Sequence, residues 1–63
     1  MIKRMQKVID KQYEQNEMHT INQYHFIGDF LLTMWIEGVL TTEQYRKLRD
    51  YSERRFEELM GLA

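Results

Sequence analysis

The sequence predicts an all-α protein of three helices, a helical hairpin preceded by an amphipathic helix and expected to be oligomeric, from three observations. Apolar residues recur at spacings of three and four, and no stretch alternates with the period of two that a half-buried strand needs. Proline is absent, and the three glycines, Gly28, Gly38 and Gly61, all fall in the second half. The segment Glu37–Gly38–Val39–Leu40–Thr41 joins a helix stop to a helix start.

The first helix is expected over residues 2–15. Ile2, Met5, Ile9 and Tyr13 fall on one stripe, with Val8 beside it, and Lys3, Lys7 and Lys11 recur every four residues on another face. Asn16–Glu17–Met18–His19 holds poor helix formers, and a break is expected there. Thr20 would cap the next helix, with Gln23 completing a capping box. The rival arrangement is one continuous helix from Ile2 to Glu37.

The second helix is expected over residues 21–37. Its apolar residues are Ile21, Tyr24, Phe26, Ile27, Phe30, Leu31, Leu32, Met34, Trp35 and Ile36, which cover most of its circumference. Such a helix is buried on several sides, and two partner helices cannot easily enclose it. Gly28, unfavourable in a helix interior, would let another backbone or a bulky ring approach closely.

Gly38 then suits the left-handed residue that ends a helix, with Val39 and Leu40 tucking back as apolar anchors. Thr41 and Gln44 make a Thr-x-x-Gln capping box, and Glu43 suits the first turn of the helix that follows. This third helix is expected over residues 42–60. Its inner stripe is Tyr45, Leu48, Ser52, Phe56 and Leu59, with Tyr51 and Met60 at the edge and Gly61 as the stop.

The stretch Trp35-Ile-Glu-Gly-Val-Leu-Thr-Thr-Glu-Gln-Tyr-Arg-Lys-Leu resembles the short helical hairpin domains called SHOCT. Gly38, Val39, Leu40, Thr41, Gln44 and Tyr45 occupy the places of that family's turn, G-[IV]-[IL]-[ST]-x-x-[EQ]-[FY]. The resemblance covers residues 30–56. It implies a hairpin used for oligomerisation or protein contact, without an active site. Small versions of that hairpin occur in bacteria and their mobile elements.

The chain has 63 residues, one domain at most. A core of that size supplies roughly 3–5 kcal/mol of net stability. Without cysteine there is neither a disulfide nor a thiolate metal site to add to it, so self-association is an expected reinforcement. Hydrophobic residues at 43% and charged residues at 30% argue against disorder, and a formal net charge of −1 is no polyanion-binding signature. No apolar run exceeds three residues, the length of Met34–Trp35–Ile36, which is too short to span a bilayer. No membrane role is expected, and a cytoplasmic location is.

Catalytic chemistry finds little support. His25 and Asp29 share a helix face at i, i+4 but lack a third ligand, so no metal and no cofactor are expected. Ser52, the single serine, has no histidine near it in sequence, and a small residue on an inner face lets helices approach. Asp29 and Glu37 flank the apolar region of the second helix without forming an acid–base pair. On the third helix Glu43–Lys47, Arg46–Asp50, Arg49–Glu53, Asp50–Arg54 and Arg54–Glu58 are i, i+4 opposites, the mark of a solvated face.

The leading expectation is therefore a non-enzymatic protein–protein interaction module that associates with itself and with another protein. It would act as a small regulator or inhibitor of the kind phage and mobile elements supply. Tyr24, Ile27, Phe30, Leu31, Met34 and Trp35 are its expected interface, since aromatic residues and methionine are enriched at interface centres. The alternative is a DNA- or RNA-binding regulator. There Lys3, Arg4, Lys7 and Lys11 would neutralise phosphates.

Overall fold

The structure, a computed structural model, describes residues 2–14 and 19–62 of the chain. It is all-α, with α1 at Ile2–Glu14, α2 at Thr20–Ile36 and α3 at Thr42–Met60, and no strand among the described residues.

Each helix buries one narrow stripe. In α1 the buried residues are Met5, Ile9 and Tyr13, and in α2 they are Gln23, Ile27 and Leu31, both sets spaced by four. In α3 they are Leu48 and Ser52. Leu40 completes the core from the α2–α3 connection, and Ile2, Tyr24, Met34, Tyr45, Tyr51 and Phe56 pack around it. Leu59, expected on the inner stripe, is 49% exposed. It lies almost a turn beyond Phe56, the last α3 residue packed on the core, so the stripe runs out before the helix does.

The helices run up, down and up. Trp35 stacks on Tyr45 beside the joint and Tyr24 on Phe56 at the far end, so α2 and α3 are antiparallel. Gln23 Nε2 donates to the carbonyl of Gln12 at 2.7 Å, which joins the end of α1 to the start of α2. One continuous helix would hold those residues about 16 Å apart, so α1 and α2 are separate helices folded back on each other. The expected break at residues 16–18, and the expected end of the first helix at Gln15, lie outside the described residues. His19, which follows, is extended at φ −64° and ψ 148°.

The start of α2 corrects the expected capping box. His19, not Thr20, is the N-cap residue, and no side chain caps it. Gln23 is buried, and its amide reaches α1 instead, where it satisfies one of the last four carbonyls that a helix leaves unpaired.

The joint is built as its residues predict, with one exception. Gly38 has φ +80°; its N–H donates to the Trp35 carbonyl and the Val39 N–H to the Met34 carbonyl, the Schellman pattern. Thr41 Oγ1 accepts from the Gln44 N–H at 3.1 Å, while Gln44 Oε1 accepts from the Thr41 N–H at 3.0 Å. Leu40 is buried, but Val39, the other expected anchor, is 49% exposed. Two successive residues of so tight a turn do not both face the core.

Candidate interaction surface

The expected interface residues of α2 divide into three sets by what they touch. Ile27 and Leu31, expected at an interface, are 2% and 0% exposed and belong to the core of this chain. Tyr24 and Trp35 pack on α3, although Trp35 is still 37% exposed, and Met34 packs, partly buried, on the core. The Tyr24 ring lies 4.5 Å from that of Phe56, and the Trp35 ring 4.7 Å from that of Tyr45 at an interplanar angle of 10°. Trp35 Nε1–H also donates to Thr42 Oγ1 at 3.2 Å.

Phe30 is the expected interface residue that remains most at the surface. With Phe26 and Val8 it is more than two-fifths exposed. These three side chains, with Ile9, Gln12 and Ile27, line a pocket of about 120 Å³ on the α1–α2 seam. The volume approaches that of cavities known to hold one benzene ring. Phe26 and Phe30 are one turn apart on α2, a spacing visible in the sequence. Val8 joins them through the packing of α1, which no local pattern announces.

Lys3, Arg4, Lys7 and Lys11 are all exposed on α1. Arg4 and Lys11 lie four residues before and three residues after Val8, so they fall on the same side of the helix as the pocket wall. Asp10 faces the other way. Tyr51 Oη donates to both its carboxylate oxygens at 2.9 Å, and Arg55 Nε lies 3.2 Å from Oδ1, misdirected for a hydrogen bond but near enough for an ion pair. The basic ridge therefore keeps its charge toward solvent.

Among the described residues the ion pairs are Lys47–Glu43 at 3.3 Å, Arg55–Asp10 and Arg55–Glu58 at 3.0 Å. Of the five i, i+4 opposites on α3, Glu43–Lys47 is the one that closes. Arg55 spends its charge bridging α3 to α1.

Ser52 is buried, with its hydroxyl and its carbonyl each 3.0 Å from the Tyr13 hydroxyl. It holds α1 against α3 and presents no nucleophile to solvent. His25 and Asp29 are exposed and line a second groove, between α2 and α3. Among the described residues no three His, Cys, Asp or Glu side chains converge as a metal site would require. Nor, among them, is any helix long and apolar enough to cross a membrane.

Three tyrosine hydroxyls titrate above their ordinary value of 10.0. Burial is the largest cause in each; for Tyr13 the Ser52 hydrogen bond opposes it, for Tyr24 the nearby Glu53 carboxylate adds to it, and for Tyr51 the bond to Asp10 does. All three are neutral donors at physiological pH, and none is set up as a base.

Comparison with protein-family models, with curated proteins and with solved structures finds no match to this chain.

Proposed function

We propose that the chain is a non-enzymatic protein-binding module whose contact surface is the α1–α2 seam at Val8, Phe26 and Phe30. The observation that carries this reading is the exposure of three large apolar side chains around one pocket, the kind of patch that marks interaction sites. The pocket takes one apolar anchor side chain, and the ridge of Arg4, Lys7 and Lys11 beside it suits carboxylates. An acidic amphipathic helix meets both demands, in the manner of helix-in-groove recognition. A chain of this size would regulate or inhibit by covering a partner's surface. The resemblance of residues 30–56 to hairpins of protein contact agrees with that role.

Selection from a random peptide library tests it. Acidic peptides with an apolar anchor are the expected binders, and Phe30→Glu and Val8→Glu abolish their binding while the helical circular dichroism is kept. Recovery of no binder, or binding indifferent to both changes, rejects the surface.

The four exposed cations of α1 support a second reading, nucleic-acid binding through Lys3, Arg4, Lys7 and Lys11. Retention of duplex or single-stranded nucleic acid would then fall steeply with salt and vanish on Lys3→Glu with Lys7→Glu. No retention at low salt rejects that reading.

A further inference from the structure

The face of the α2–α3 hairpin that receives α1 is partly polar. Gln23 and Ser52, the buried polar residues among those described, both turn to α1. Gln23 donates to the Gln12 carbonyl, and Ser52 meets the Tyr13 hydroxyl. Arg55 Nε, also buried, faces Asp10 without a hydrogen bond among the described residues. The hairpin itself is closed by stacked rings, Trp35 on Tyr45 and Tyr24 on Phe56. When α1 leaves, the polar groups return to water, which offsets much of what their bonds contribute. The α1 docking face is thus built to open more readily than the hairpin.

The start of α2 favours a longer helix. His19 precedes it without a side-chain cap, and the first N–H groups of a helix lack carbonyl partners within it. Continuing the helix upstream supplies those carbonyls. Residues 15–18 contain neither glycine nor proline, the two residues that most oppose such a continuation. The Gln23–Gln12 bond excludes one continuous helix within a closed chain, but not within a chain whose α1 docks elsewhere.

We infer that two copies of the chain exchange α1. In each copy α1 and α2 straighten into one helix, and α1 docks on the α2–α3 hairpin of the other. Because α1 runs antiparallel to α2 in the closed chain, the two straightened helices lie antiparallel across a two-fold axis at the link between them. Met5, Ile9 and Tyr13 then fill the same core, Tyr13 meets Ser52, and Asp10 meets Tyr51 and Arg55, now across copies. The exchanged pair keeps what each closed chain gains from α1 and adds the helical bonds of the link, so exchange is a low-cost route to a dimer. The pocket of the proposed contact surface becomes composite, with Val8 from one copy and Phe26 and Phe30 from the other. It is rebuilt in either form, so a monomeric result here and a failed peptide selection there are separate outcomes.

Exchange competes with closure once the chain approaches the effective concentration of its own arm, on the order of millimolar for a short link. Sedimentation equilibrium of the wild-type chain is expected to show a dimer of its 7.8 kDa mass as that range is reached. Two kinds of variant separate exchange from any other dimer. His19→Pro suits the closed chain, because φ there is −64°, close to the value proline fixes. Inside a continuous helix the same proline breaks a turn, so dimerisation is expected to weaken by about a hundredfold or more while the helical circular dichroism is kept. Asp10→Arg and Arg55→Asp each set like charges together, whether a chain closes or exchanges with its own kind. In an equimolar mixture of the two, exchange sets opposite charges together in both halves. The mixture should form a heterodimer with a higher thermal midpoint than either variant, even where a variant alone is unfolded. A wild-type chain monomeric into the millimolar range overturns the proposal. So does a His19→Pro chain that dimerises as tightly as wild type, or a mixture no more associated and no more stable than its components.

Discussion

At the scale of single residues, α1 is held to α3 by phenol hydroxyls. Tyr13 bonds to Ser52, and Tyr51 bonds to Asp10. A hydrogen bond to a carboxylate contributes more than a neutral one, less where solvent reaches it. Tyr51→Phe is expected to cost about 1 kcal/mol in urea unfolding. The same groups set a pH dependence. With folded pKa values above the 10.0 of a free phenol, the native state holds these protons more tightly than the unfolded chain. Their contribution is complete below about pH 10 and is lost as pH rises through the folded values. Denaturant midpoints should therefore fall above about pH 10, and Tyr13→Phe should flatten the fall. A midpoint unchanged into the alkaline range would contradict this. Ser52 was legible in the sequence as a small inner residue, but its role as an acceptor was not, because its donor is 39 positions away.

At the scale of elements, two identical patterns have different fates. Thr41-x-x-Gln44 forms a reciprocal capping box, and Thr20-x-x-Gln23 does not. Both satisfy the same local rule. Among the described residues Gln44 bonds only within its own cap, whereas Gln23 lies against α1 and gives its amide to the Gln12 carbonyl. Local chemistry is readable where the chain is the only party to it, and tertiary neighbours override it elsewhere. The joint belongs to the first kind, and its left-handed residue is testable. Gly38→Ala places a side chain at φ +80° and should destabilise the protein by about 1–2 kcal/mol. An unchanged denaturation midpoint would show that the turn can re-form without glycine.

At the scale of the molecule, the sequence showed that α2 has more apolar surface than its chain can cover, and Ile21, Phe26, Phe30, Leu32, Trp35 and Ile36 remain exposed. It did not show which residues those are. A helix apolar nearly all round has no periodicity to mark its inner side, so Ile27 and Leu31 looked no different from Phe30. The bundle's connections also differ in reach. The α2–α3 hairpin turns within a few residues, and Trp35 and Thr42 are seven apart. The bonds from α1 to α3 span 39 and 41 positions. Closing the longer loop costs more chain entropy, and contacts of that reach slow folding. On that ground the hairpin is expected to assemble first, with α1 docking onto α3 last. In stopped-flow kinetics Leu31→Ala, at a position beside Tyr45 and Ser52 of α3, should slow folding, whereas Ile9→Val should chiefly speed unfolding. The reverse partition would place α1 in the folding nucleus. On that order α1 is also expected to be the first element to leave, which would make the chain a clasp whose opening arm bears the basic ridge.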